Sequence, residues 1–320
     1  MMEYLDALDE RVLSNYDVMT VGEMPQLTVE TAREYAGEDG PLDMAFHFQH
    51  TKLDYDDGER WAVGDWDLTE LKDITRRWQE GLADDGWNAV YWENHDQPRV
   101  VSRYGDPENY REESATMLAT YLFTLSGTPY VYQGQELGMT NAEWPTMDDL
   151  RDVDAVNHAK ELVEAGPYDG YEDVRDVVGY RTRDNARTPM QWDGSDHAGF
   201  TDGEPWIQVN PNYEAVNVAA SDHPASVTNY YRSLVELRSE HDALVYGEYE
   251  DLLPEDEAVY AYTMSLGDDR LLTVLNFTGE AVRRTVPATD DGRLLLSNYG
   301  TEKRGTETLA PYEARVYALD

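Results

Sequence analysis

Glu23, in the run Thr20–Pro25 (TVGEMP), and Asp96, in Glu93–Arg99 (ENHDQPR), each stand where an apolar, strand-like run gives way to polar residues. His95 adjoins the second, and a further break of this kind falls at Gln133–Glu136. Two carboxylates at the ends of different strands, converging on one mouth, are equipped to cleave a glycosidic bond. One protonates the leaving oxygen while another stabilises positive charge on the sugar. Carboxylates are abundant in this chain, so position alone leaves Glu23 open to being a solvated loop residue and His95–Asp96 to being a strand-capping pair. His47 and His50 lie close together near another strand end. A metal site would need a third convergent ligand, and the sequence offers none. They are therefore read as exposed strand-end histidines, and neither a metal nor a cofactor is assigned.

The elements that must position these residues follow from apolar patterning. Asp17–Glu23, Leu42–His50, Trp87–Asp96 and Thr128–Glu136 have the composition of short buried strands. Glu3–Ser14, Leu68–Leu82 and Asn109–Leu125 are helix candidates between or before them. Strands alternating with helices imply a parallel sheet with crossover helices, and in such sheets function gathers at the carboxyl ends of the strands. Ser226–Ser239 is a further amphipathic helix, with Val227, Tyr230, Tyr231, Leu234 and Leu237 on one face. From about Val245 the texture changes to short alternating runs (Ala258–Met264, Arg270–Phe277, Leu294–Ser297, Ala314–Leu319) broken by Gly, Asp, Asn and Pro, the signature of an antiparallel β module. Between the two lies Gly138–Pro224, too long for a structureless loop. It is expected to hold a helical excursion over Asp148–Ala165 and an ordered loop at Arg183–Asp193.

The chain has 320 residues, with 25 Lys+Arg against 65 Asp+Glu and a formal charge of −40. One large domain, or one plus a smaller one, fits that length, and 41% hydrophobic with 11% aromatic residues supplies a core. The acidity disfavours nucleic acid and anionic membranes as partners. No run approaches the apolar length of a membrane helix, and no secretory leader pattern opens the chain, which points to the cytoplasm. Cysteine is absent, which removes disulfides, thiolate metal sites and cysteine nucleophiles. The cations are skewed, 4 Lys leaving 25 − 4 = 21 Arg. Dispersed carboxylates with few lysines fit a halophile, where salt screens self-repulsion.

The local words are more specific than the positions. TVGEMP, Ala45–His50 (AFHFQH), ENHDQPR, Gly127–Asn141 (GTPYVYQGQELGMTN) and Arg183–Asp193 (RDNARTPMQWD) follow one another in this order. In these runs the chain resembles the oligo-1,6-glucosidase and α-glucosidase branch of glycoside hydrolase family 13, the α-amylase family, from about Tyr16 to its end. The resemblance implies that Glu23 is the general acid/base, which must donate and then recover a proton. It implies that Asp96 is the carboxylate that grips sugar hydroxyls and favours the distorted ring, with His95 donating hydrogen bonds in the same subsite. Arg183 aligns with an arginine reaching that pocket, and Phe48 with an aromatic wall of the mouth. For Arg183 a bridge to a nearby carboxylate, and for Phe48 ordinary core packing, remain equally open readings. Trp192 is read as packing.

A retaining mechanism also needs a nucleophilic carboxylate opposite the acid. In the family this aspartate lies in a GFR-x-D type motif upstream of the acid, and the 22 residues before Glu23 contain none. The fold class implied is α/β plus β. Residues 1–244 would form the second half of a (β/α)8 TIM barrel, strands five to eight, with the excursion at about 138–224. Residues 245–320 would form a carboxy-terminal antiparallel β-sandwich domain. The expected function is that of a glycosidase on short α-glucosides, with an oligosaccharide substrate and a separate amino-terminal barrel half as the partner supplying the nucleophile. A sugar isomerase or transglucosidase of the same family, or a non-catalytic carbohydrate-binding relative, are the alternatives.

Overall fold

Short parallel strands followed by amphipathic helices build the first two thirds of the chain. The computed structural model describes residues 2–166, 168–287, 289, 292–300 and 307–319. Helix α1 (Met2–Arg11) leads to strand β1 (Val21–Glu23), then α2 (Val29–Ala36), β2 (Met44–Phe46), α3 (Leu68–Gly81) and β3 (Ala89–Tyr91). After β3 come α4 (Val100–Tyr104), α5 (Arg111–Phe123) and β4 (Thr128–Tyr130). β1 pairs in parallel with β2, and β3 with β4. A parallel bridge from Ala45 to Asn88 joins the two pairs, so the strands lie in the order β1-β2-β3-β4.

The strands are shorter than their apolar runs suggested. Each pairs over three residues, because the chain leaves the sheet at once and sends residues such as His47 and Trp92 to meet the helices. α2 was not visible as a pattern, being eight residues long and acidic. It is set by its Thr28 cap, whose hydroxyl accepts from Thr31 N while Thr28 N donates to Thr31 Oγ1. α3 is legible because Leu68, Leu71, Ile74 and Trp78 line its buried face, and Asp67 caps it by accepting from Thr69 N at 2.7 Å. Glycine is obligatory at 127. Its φ is +110°, and a Cβ there would meet Asn88 O at 2.3 Å, where β4 closes on β3.

α5 is buried on every side. Its threonines make this tolerable, Thr120 and Thr124 donating to carbonyls one turn back at 2.8 and 2.7 Å. It lies between the parallel strands, helix α9 (Val227–Glu240) and the β module. Past α10 (Ala243–Tyr246), that module is a five-stranded antiparallel sheet of order β5-β6-β7-β11-β9. Its strands are β5 (Glu248–Asp251), β6 (Val259–Leu266), β7 (Asp269–Asn276), β9 (Arg293–Ser297) and β11 (Ala314–Leu319). A two-stranded piece, β8 (Val282–Arg283) with β10 (Thr308–Leu309), accompanies it. One continuous core runs from Leu71, Trp78 and Met117 to Tyr260, Leu275 and Val316. Lys72 clamps the seam: its buried ammonium donates to Leu253 O, Asp256 O and Val259 O at 2.6, 2.6 and 2.8 Å.

The excursion carries more structure than one helix. α6 (Val153–Ala165) begins five residues later than the expected Asp148, with Asp152 as its cap, and is joined by α7 (Arg175–Arg181) and α8 (Asp184–Arg187). Trp144, Leu150, Ala155, Ala159, Val174, Val178 and Ile207 give this segment a small core of its own.

Candidate active site

The ends of β1 and β3 carry the candidate carboxylates. Glu23 is the last residue of β1 and is exposed. Among the described residues no hydrogen bond or ion pair holds its carboxylate. Its charge is felt by Tyr91, whose phenol is pushed above its ordinary range first by burial and then by Glu23. That phenol donates to His47 O at 2.8 Å.

Asp96 is held instead. Arg187 Nη2 donates to Asp96 Oδ1 at 2.6 Å and Arg187 Nε donates to His95 O at 3.1 Å, so one guanidinium grips both the carboxylate and the backbone before it. The turn is closed from the other side by Asn94, whose Oδ1 accepts from Asp96 N at 2.8 Å. His95 Nε2 lies 3.7 Å from Asp96 Oδ2, with the imidazole more than half exposed. His95, Asp96 and Arg187 therefore share one open mouth, and Arg187 is the member that motif reasoning passed over. Its signal was present, because RDNAR places two arginines one helical turn apart and both point to the same carboxylate.

Arg183, the residue selected from the sequence, stands farther off, with Nη1 3.9 Å from Asp96 Oδ1. Its main partner is the buried Asp152, to which Nε donates at 3.0 Å and Nη2 closes a second bond. Burial pushes the Asp152 carboxyl up, but the bonds from Arg183 outweigh it and keep the group below the usual carboxylate range. A third carboxylate, Asp154, lies 3.0 Å from Arg183 and 3.7 Å from Arg60. Arg183 thus docks the start of α6 against the mouth, the carboxylate bridge that its sequence left open, and reaches Asp96 only at the edge of ion-pair range.

Of the two readings open for Phe48, the structure shows packing: it is buried, its ring 5.9 Å edge-on from Tyr91. Two expectations need correction. His50 is buried and His47 half-buried rather than exposed, because the chain turns inward after β2 and stacks His47 on Trp78 at 4.1 Å. Burial, and next the charge of Arg77, lowers His47 to about 3, so it is neutral. Trp192, read as packing, is only partly covered, being 49% exposed.

Two buried hubs hold these loops in register, and neither was identified from the sequence. Arg99 donates to Glu93 Oε1 at 3.0 Å, Gln133 O at 2.7 Å and Asn185 O at 3.1 Å. One side chain thereby ties together ENHDQPR, the end of β4 and RDNAR. Arg103 and Arg181 converge on Asp54, with Arg103 Nε donating to Oδ2 at 3.1 Å and Arg181 Nη1 lying 2.9 Å from it. Arg103 also donates to Gln97 Oε1 at 3.1 Å, the residue after Asp96.

Residues 1–247 match the family model for the alpha amylase catalytic domain. The oligo-1,6-glucosidase of Bacillus cereus is 46% identical over 325 residues, covering 99% of this chain and 58% of that protein. The trehalose-6-phosphate hydrolase of Bacillus licheniformis is similar in structure, with a TM-score of 0.94 at 41% identity, over 99% of this chain and 59% of that one. An isomaltulose synthase from Klebsiella sp. LX3 gives a TM-score of 0.93 at 37% identity, over 100% of this chain and 58% of that one. The chain therefore spans about 58% of the length of the curated relatives it matches. With its ordered motifs, parallel strands and carboxylate-bearing strand ends, the chain belongs to the alpha-amylase family.

Proposed function

We propose that this chain is the part of a retaining α-glucosidase that carries the acid/base and the sugar-gripping carboxylate. The supporting observation is the contrast between the two carboxylates: Glu23 stands unbonded at the end of β1, whereas Asp96 is fixed by Arg187. A proton shuttle must be able to gain and lose its proton, while a residue that grips hydroxyls must stay ionised and in place. Glu23 would protonate the glycosidic oxygen as a carboxylate on the opposite face attacks the anomeric carbon. It would then take a proton from the water that frees the sugar. Asp96 and His95 would hold the hydroxyls of the same ring.

The opposing carboxylate must lie about 5–5.5 Å from the acid. We assign it to an amino-terminal barrel half, with residues 1–244 as strands five to eight of the barrel and 245–320 as the carboxy-terminal β-sandwich domain. The outer edges of β1 and β4, which pair with no further strand among the described residues, support that division. The substrates would be short α-glucosides such as isomalto- and malto-oligosaccharides. Likeness to isomaltulose synthases supports a second reading, transfer of the glucosyl group to a sugar in place of water. We assign the protein to a salt-rich setting on its acidity; among the described residues no helix is long and apolar enough to cross a membrane.

The test is hydrolysis of a chromogenic α-glucoside in molar KCl by the chain alone and after mixing with the amino-terminal part of the Bacillus cereus relative. Turnover is expected only in the mixture, falling about 10²–10⁴-fold with Glu23→Gln. Turnover by the chain alone that ignores Glu23→Gln, or an inert mixture of two folded parts, would overturn the proposal.

A further inference from the structure

The exposed Trp192 is held out by a backbone feature of its own. His197 and Ala198 both adopt left-handed conformations, at φ 54° and 58°, and Gly199 follows at 66°. Two successive non-glycine residues in this region are costly to any chain and persist only where surrounding contacts impose them. Here the contacts are visible. Ala198 is completely buried, and its carbonyl accepts from Trp192 N at 2.9 Å and Asp193 N at 3.2 Å. On the other side, Gln191 O and Trp192 O accept from Val218 N and Ala219 N, both at 3.0 Å. The backbone of Trp192 is pinned from both sides while about half of the residue stays exposed, and the same turn carries Phe200, 48% exposed.

Trp192 belongs to the chain segment that also supplies the mouth. Trp192 is five residues beyond Arg187, the residue bonded to Asp96, so the chain cannot separate them by more than about 18 Å. An indole face is a large, rigid apolar surface with little conformational entropy to lose, and the apolar C–H face of a pyranose ring is its natural counterpart. A strained turn that keeps a tryptophan out of the core beside a carbohydrate mouth serves binding rather than packing.

We propose that Trp192 is a stacking platform for a pyranose ring of an α-glucoside that extends outward from the Glu23–Asp96 mouth. The platform fixes specificity for chains of two or more sugars and rests on the reading of that mouth as a glucosidase site. The experiment follows the indole N–H resonance of Trp192 in the ¹⁵N-labelled chain, identified by its loss in Trp192→Phe, during titration with isomaltotriose. A saturable shift is expected, with affinity falling at least tenfold in Trp192→Ala and unchanged in Tyr246→Ala, an exposed aromatic at the far end of the strands. A saturable shift in the unsubstituted chain while the mixed-half assay stays inert would sink the glucosidase reading and leave the platform standing. An indole that stays still under excess trisaccharide, or that responds equally to an acyclic polyol, would overturn the platform itself.

Discussion

Asp54 is the counter-charge for two buried guanidiniums, and Asp54→Asn removes that charge while keeping the shape. Asp54, Arg103 and Arg181 each have side chains at most 2% exposed. The arginines are further placed over the rings of Tyr104 and Tyr55, which soften but do not cancel their charge. Removing one partner from a buried ion pair costs about 3–5 kcal/mol, because the remaining charge stays desolvated. A domain is stable by only about 5–15 kcal/mol, so the variant should stand near its unfolding midpoint in mild urea. The assay is urea unfolding followed by circular dichroism at about 0.1 M and about 1 M KCl, between which the Debye length falls from about 10 to about 3 Å. A buried pair is little screened, so the loss should be the same at both salts. The exposed Arg283–Glu307 pair is the control, its side chains 78% and 46% exposed; Glu307→Gln should cost under about 1 kcal/mol. Acid gives a second readout. Burial pushes Asp54 up, yet the bonds from Arg103 and the charge of Arg181 hold it below the usual carboxylate range. Its stabilisation is therefore complete above the ordinary carboxylate pKa and is lost as the pH falls through the lower folded value, a limb Asp54→Asn should lack. A loss under about 1 kcal/mol, or one that disappears in high salt, would refute the reasoning.

Other variants probe the remaining joints. Lys72→Met takes the donor from the buried Val259 O and from the part-buried Leu253 O and Asp256 O, and the buried acceptor alone costs about 1–3 kcal/mol, so thermal unfolding should move down. Arg187→Gln in the mixture of halves should lower kcat/KM about 10–100-fold, the worth of a charged hydrogen bond. Arg187→Lys should recover little of this, since a single ammonium cannot reach both Asp96 Oδ1 and His95 O. Raising KCl from about 0.1 to about 1 M should raise the unfolding midpoint of a chain of formal charge −40; a midpoint that falls would remove the high-salt reading.

The residues at strand ends were legible because their words are contiguous: TVGEMP and ENHDQPR each present a carboxylate within a few residues of its strand. Helices such as α3 and α9 were legible because their apolar faces repeat at the helical period. What could not be read is what joins distant segments. Arg99 bonds a residue 86 positions away, and Lys72 residues more than 180 away; no local pattern distinguishes such an arginine or lysine from a solvated one. Trp192 departed from its expected surroundings for the same reason. Exposure depends on which backbone groups pin a loop, and the left-handed turn that holds Trp192 out involves His197 and Ala198, residue types that give no sign of it.

The scarcity of cations sharpens what those joints mean. With 25 Lys+Arg against 65 Asp+Glu, a guanidinium is surrounded by candidate partners at the surface, yet Lys72, Arg99, Arg103 and Arg181 are buried. Each donates to backbone carbonyls as well as to side chains or in their place. They act as fasteners between segments, while the surplus carboxylates face solvent. Arg183 and Arg187 bring the same resource to the mouth, where they pair with three carboxylates, Asp96, Asp152 and Asp154. Glu23 lies outside this network: among the described residues neither an arginine nor a hydrogen bond holds its carboxylate at the end of β1.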